Sequence, residues 1–379
     1  MNLTEGTRTP THHTLSSSPR PQSGSRENSQ GLAAELAAEF EHIVHRDPGC
    51  RGLAAYQLDE KPLDAGQLGL AAAHLARHAK SVGIATGFCA QTHDRIAAET
   101  DGPPGALYLG RALVALGLEV TFVADRVAAP LLRTGCELWD LSTPVLEFPT
   151  PGPIDAQSTA QETPAAVDAW IKGCFATGPA SRWTHLVAIE CPGPSHTLAS
   201  LQAQRRAGRP PVESFTAQVA EADRGVCHNM RGQSIQRFTA PLHLLFEQAA
   251  RSPRPVTTIG IGDGGNEIGM GRFLWEDIVA AVGGEPAARI ACRVAADFAV
   301  LGGVSNWAAY ALALLLAIDC GRVDLARDWN EQRERALVEH LVRSGAIDGR
   351  TFKSEVTVDG MALDAYLAPL TAMRGLLRF

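Results

Sequence analysis

The feature that most constrains this chain is a repeated unit: a short apolar run, a polar turn, then a longer segment with apolar residues at helical spacing. Helical spacing occurs at residues 31–44 (Leu32, Leu36, Phe40, Ile43) and 65–79 (Leu68, Leu70, Ala73, Leu75), and residues 82–85 then read as a short buried strand ending at Thr86-Gly87. The same order continues with helix 106–116, strand 120–124, helix 164–174, strand 185–189, helix 241–250, strand 256–261, helix 266–282, strand 290–294 and helix 306–318. Strands that alternate with helices predict an α/β fold, doubly wound, with a mostly parallel sheet and helices on both faces. In such sheets ligands lie beyond the carboxyl ends of the strands, where loops and helix N-termini converge.

Composition narrows the function classes. A formal charge of −7 offers no basic footprint for a phosphate backbone, so nucleic acid is not an expected partner. No apolar run reaches membrane-spanning length, the longest being residues 308–318, so a soluble protein is expected. Eight cysteines without a C-x-x-C pair suggest neither structural zinc nor a disulfide framework, which fits a reducing cytoplasm. Residues 1–30 are rich in Ser, Thr, Pro, Arg and Gln and are expected to form a disordered tail, or a transit peptide to an organellar matrix if the source is eukaryotic. Residues 31–379 are then expected to form one domain, in a chain that could assemble as a homo-oligomer.

The polar residues that follow the expected strands are Thr86-Gly87, Asp125, Glu190, Asp263 with Asn266 and Glu267, and Ser305-Asn306. Residues 260–271 place six glycines around Asp263, Asn266 and Glu267 directly after a strand, and glycine permits both positive φ and close approach of backbone to a ligand. A tight turn capped by Asp263 or Asn266 is the plain alternative. Gly260, Gly262 and Gly265 also satisfy G-x-G-x-x-G, so an NAD(P)-type oxidoreductase competes. Against it, Asp263 stands inside the loop where a pyrophosphate would lie. Asp263, Asn266 and Glu267 are hard oxygen donors that suit Mg²⁺ or Mn²⁺, and the two acids could equally divide general acid and base work.

The segment Glu99-Thr100-Asp101-Gly102-Pro103-Pro104-Gly105 reads either as a rigid helix entry or as a loop that brings Asp101 over a site. Asn229 and Arg231 could bind a substrate carboxylate, and the helix end at Ser305-Asn306 could hold an anion.

Thr86-Gly87-Phe88, residues 99–105, residues 260–271, Ala296-Asp297-Phe298 and Gly303-Val304-Ser305-Asn306-Trp307 together resemble the D-glutamate cyclase family, in its C-terminal-type domain, over about residues 31–379. The resemblance implies conversion of D-glutamate to 5-oxo-D-proline with loss of water, a small acidic amino acid as partner, and a stand-alone form without the additional N-terminal domain of two-domain members. It departs from the family's pattern at Cys191, where a basic residue is expected after the acid. In the resulting expectation Asp263 and Glu267 share acid, base or metal-binding work and Glu190 grips the ammonium group. Arg231 or the Ser305-Asn306 helix end holds the α-carboxylate, while Thr86, Gly87, Asp101, Gly102, Asn229, Gly262, Gly264, Gly265 and Asn266 form the surrounding pocket. A non-catalytic domain that binds a small acid is the other alternative.

Overall fold

The computed structural model describes residues 23–150 and 163–377. Six parallel strands form the central sheet: β1 (Ser81–Thr86), β2 (Glu119–Ala124), β3 (Val145–Glu147), β4 (His185–Ile189), β5 (Thr257–Gly262) and β6 (Phe298–Leu301). Their spatial order is β6-β5-β4-β1-β2-β3, every neighbouring pair running parallel. This is a doubly wound order whose direction of winding reverses between β1 and β4. Apart from the short edge strand β3, the strands are buried on both faces. In β4, Val187 and Ile189 join one hydrophobic cluster, while Leu186 and Ala188 join the other. That two-sided burial is why the strands read as continuous apolar runs rather than alternating ones.

The helices that cover the sheet and frame its carboxyl edge are α1 (Ser23–Val44), α2 (Gln67–His78), α3 (Pro103–Ala115), α4 (Ala129–Leu138), α5 (Pro164–Ala176), α6 (His243–Arg251), α7 (Trp275–Val282), α8 (Ser305–Asp319), α9 (Glu331–Arg343) and α10 (Leu363–Gly375). Along α8 every residue is buried. A helix that is apolar all round must be enclosed, and α8 packs among α1, α2 and α3.

Three boundaries depart from the sequence expectation. The first helix starts at Ser23, inside the segment expected to be unstructured, while residues 1–22 of that segment lie outside the described residues. The expected helix 266–282 survives only as α7, because positive φ at Gly265 and Gly269 turns the chain before it. The expected strand 290–294 is not part of the sheet. Its backbone straps the glycine segment instead: Cys292 N donates to Gly265 O at 2.8 Å, and Gly269 N donates to Val294 O at 2.8 Å. The sixth strand is Phe298–Leu301, a few residues later. Its entry is held by Asp297, whose carboxylate accepts hydrogen bonds from the backbone and hydroxyl of Thr258 on β5.

Candidate active site

The carboxyl ends of β1, β4 and β5 meet under an open cleft of about 1030 Å³. Of the residues expected from sequence, Glu190, Asn229, Arg231, Asp263 and Asn266 line it. Glu190 follows β4 with φ 46°, a left-handed conformation that is rare outside glycine and concentrates at functional sites. Its Oε2 accepts a 2.5 Å hydrogen bond from Ser305 Oγ.

The floor is acidic, and one guanidinium organises it. Arg51 Nη1 donates to Asp263 Oδ2 at 2.8 Å, and the same guanidinium grips both oxygens of Asp359 at 2.9 and 2.8 Å. Glu99 forms another part of the wall; a Cβ on Gly349 would lie 2.0 Å from its Oε2, so glycine leaves room for that carboxyl. Burial and the neighbouring Glu267 and Asp101 push the Glu190 carboxyl well up, against the pull of Arg51. Asp263 is raised by burial and Glu190, again opposed by Arg51. More carboxyls converge here than one guanidinium can balance, so protons or a cation must supply the difference.

Other expected residues lie beneath the wall. Asp101 accepts hydrogen bonds from Ser305 N and Asn306 N at 2.9 Å each, and Asn306 Oδ1 accepts from Gly102 N at 3.0 Å and Gly105 N at 2.7 Å. Each of α3 and α8 thus carries the cap of the other, which pins two helix starts together. The amides of Ser305 and Asn306, expected to hold a substrate anion, already serve Asp101. Ser305 positions Glu190. Thr86 and Gly87 stand behind the cleft, and glycine is required at 102 because a Cβ there would lie 2.7 Å from Thr86 Oγ1 and 2.9 Å from Glu190 Cβ. Asn229 closes its own turn, its Oδ1 accepting from Arg231 N and Gln233 N at 3.0 Å.

Glu267 corrects the reading of the glycine loop. Its Oε1 accepts from Gly264 N at 2.7 Å and Asp263 N at 3.3 Å, while Oε2 accepts from Gly265 N at 2.8 Å. The carboxylate fills the anion position that the loop's own amides create, so it holds the loop and does not face the cleft. Gly262 and Gly264 are small for the same reason: a Cβ on either would approach the Glu267 carboxylate within 2.6 and 3.1 Å. At Gly265 a Cβ would lie 2.8 Å from Ile278, so these glycines accommodate protein rather than substrate. The expected metal set of Asp263, Asn266 and Glu267 changes accordingly. Among the described residues, the acids that could hold a cation together are Asp101, Glu190 and Asp263, whose ligand atoms lie within 4.8 Å of one another. Asn266 remains at hand. Its Nδ2 donates to His228 O at 2.8 Å, and its buried Oδ1 has no hydrogen-bond partner among the described residues.

Arg51, Asp359 and Arg350 were not singled out from sequence, and Glu99 stood there only as the start of the segment 99–105, with no role of its own. Asp359-Gly360 is a legible turn signal, but nothing local tells that Asp359 meets Arg51, 308 positions away.

The site makes stability depend on pH. Burial, with Asp359 next, pushes Glu99 up to about 8 and Asp101 up to about 7, and burial brings Glu334 to about 7. Burial lowers His185, His196 and His243 to about 4. For the acids the folded state keeps protons that the unfolded chain releases, so their contribution is complete at low pH and is lost as pH rises toward 8. For the histidines the unfolded chain binds protons that the folded state refuses, so stability is lost as pH falls from about 6.5, the ordinary value for histidine, toward 4. Above about 6.5 only the acids act. Urea midpoints measured with a chelator present are therefore expected to change little between about pH 4.5 and 6.5, where the two sets oppose each other, and to fall from there to pH 8, the alkaline fall being smaller in Glu99→Gln. A midpoint that rises steadily through pH 8 would contradict this electrostatic picture.

The comparisons with known proteins agree with one another. A family model described as D-glutamate cyclase-like, C-terminal, matches residues 40–207 and 213–374, segments that contain Arg51, Glu99, Asp101, Glu190, Asp263 and Asp359. The chain is 34% identical over 293 residues to the human (Homo sapiens) protein named D-glutamate cyclase, mitochondrial. That match covers 76% of this chain and 39% of the human protein, so the chain spans about two fifths of that relative's length.

Proposed function

Because this chain belongs to the D-glutamate cyclase-like family, in its C-terminal type, we propose that it converts D-glutamate to 5-oxo-D-proline and water in the cleft above Glu190 and Asp263. The observation that carries this reading is the pair of buried carboxyls facing one cleft, with a guanidinium 2.8 Å from Asp263 and a serine hydroxyl on Glu190. The reaction forms a bond from the α-nitrogen to the carbon of the γ-carboxyl group and breaks one C–O bond of that same carboxyl. A proton must leave the amine, and a proton must reach the departing hydroxyl.

Asp263 and Glu190 are suited to divide that work. Arg51 favours the charged form of Asp263, so the first proton lost from the pair leaves Asp263, which can then accept one from the amine. Glu190 has a free Oε1 on which to carry the proton given to the leaving oxygen. Holding the substrate folded brings amine and γ-carboxyl into near-attack geometry, a contribution of up to about 7–11 kcal/mol in well-oriented cases. Asn266 Oδ1, buried and unpartnered, is available to accept a hydrogen bond from the ammonium group.

The donor set also fits a hard divalent cation. Mg²⁺ or Mn²⁺ would be held by Asp101, Glu190 and Asp263, and when bound it would polarise the γ-carboxyl. A dinucleotide-dependent reaction loses its main support, because the loop's amides are taken by Glu267 and the loop follows β5 rather than β1. For this chain we also propose a reducing compartment, cytoplasm or organellar matrix, on the ground that all eight cysteines are free. No helix among the described residues is long and apolar enough to cross a membrane.

Purified protein incubated with D-glutamate or L-glutamate, with and without Mg²⁺ or Mn²⁺, is expected to yield 5-oxoproline from the D-isomer, followed by chiral chromatography. Binding of D-glutamate without product under every condition would instead support the small-acid binding domain.

A further inference from the structure

The charges of the cleft are separated by depth. The floor carries Glu99, Glu190, Asp263 and Asp359 around Arg51, whereas the mouth carries Arg231, Arg237 and Arg350. Two different segments supply these arginines, and their tethers aim them at one opening. Arg231 stacks over the Phe352 ring at 4.5 Å and donates to the backbone oxygen of Arg350 at 3.4 Å, joining the two segments. Arg237 reaches the side-chain oxygen of Gln91 on the opposite wall. Among the described residues, none of the three arginines forms a salt bridge.

Arg350 is the least engaged. Its backbone N–H is fixed on Asp348 Oδ1 at 2.9 Å, and its side-chain stem packs where Gly360 has no Cβ, the Cδ lying 3.2 Å from that position. The loop is therefore held while the guanidinium stays open to the cleft. A fork of donors without a counter-ion, above an acidic floor, matches a carboxylate on a ligand whose cationic or protonated groups sit below.

We propose that Arg350, supported by Arg231 and Arg237, forms an anion subsite at the mouth of the cleft that selects small ligands carrying a carboxylate remote from the acidic floor. This rests on the cyclase reading only for the identity of the carboxylate, which is then the α-carboxylate of the substrate and the sole carboxylate of 5-oxo-D-proline. The subsite is made by both turnover partners alike, so it binds ground state and transition state equally and governs KM rather than kcat. Arg350 is accordingly a specificity-determining residue that stands apart from the proton-transfer groups.

The test is calorimetric binding of 5-oxo-D-proline, 5-oxo-D-prolinamide and glutarate to wild type and Arg350→Gln, at low and moderate salt. Wild type is expected to bind both carboxylates, to lose about tenfold on the amide, and to weaken with added salt. Arg350→Gln is expected to lose about tenfold on the carboxylates and almost nothing on the amide, with KM raised and kcat little changed if D-glutamate is turned over. Glutarate keeps the two questions apart, since it has no amine to cyclise. If no 5-oxoproline is ever formed but glutarate binds in an Arg350-dependent way, the cyclase reading falls and the subsite stands. Equal carboxylate binding by wild type and Arg350→Gln, or no carboxylate binding at all, overturns the subsite.

Discussion

Asp263→Asn is expected to leave a folded protein whose turnover of D-glutamate is about 10²–10⁴-fold lower, the usual contribution of a positioned acid or base. Asparagine keeps the shape of the side chain and an oxygen that can accept from Arg51, so the contact at 2.8 Å is not simply deleted. It loses the ability to take a proton from the amine. The loss is expected in kcat with KM little altered, because the group acts on bond-making rather than on binding. Circular dichroism and a urea midpoint near that of wild type would establish that the fold persists. Unchanged turnover in a folded Asp263→Asn would remove Asp263 from the mechanism and leave Glu190 as the group to examine.

Arg51→Met should act through stability as much as through activity. Arg51 is mostly buried, at 18% side-chain exposure, and ties the loop after α1 to both Asp263 and Asp359. Removing it leaves two carboxylates without their cation beside Glu190 and Asp101, and breaking a buried ion pair in this one-sided way typically costs about 3–5 kcal/mol. Methionine preserves much of the packing volume, so the deficit isolates charge rather than cavity formation. It is expected to shrink at low pH, where protonation neutralises acids that Arg51 no longer balances. Urea denaturation of wild type and variant at acidic and slightly alkaline pH reads this directly. A deficit independent of pH would mean that Arg51 matters for packing alone.

How much of this was legible in advance can be argued from particular residues. β1, β2 and β4 lie where apolar runs bounded by turns predict them, since a strand buried on both faces must be apolar throughout. The short edge strand β3, with Val145 and Leu146 half-buried and Glu147 exposed, has no such run and was missed along with α4. Residues 290–294 carry the same apolar signal as a strand because they are buried. Burial alone does not say whether the backbone pairs with a sheet or straps a loop.

The acids show the same division. Glu190 was readable as an acid at the end of a buried strand, and Asp263 as an acid inside a glycine loop. Asp263 and Glu267 are separated by only three residues, yet one faces the cleft and the other turns back onto its own amides, a choice made by φ at Gly265 and by the strap from 292–294. The motif's glycines permit the positive φ without saying which of them adopts it, and the strap lies outside the motif altogether.

What the sequence determined by itself was therefore local and periodic: the parallel α/β architecture, the edge of the sheet that gathers polar groups, and the family resemblance that the comparisons bear out. Tertiary structure alone decided that Arg51 neutralises acids 212 and 308 positions away, that α3 and α8 cap each other, and that arginines from two segments share one mouth. The reason is physical. Periodicity reports the environment of a side chain, buried or wet, whereas a charge becomes functional through partners within a few ångströms, and those distances exist only once the chain has closed its long loops.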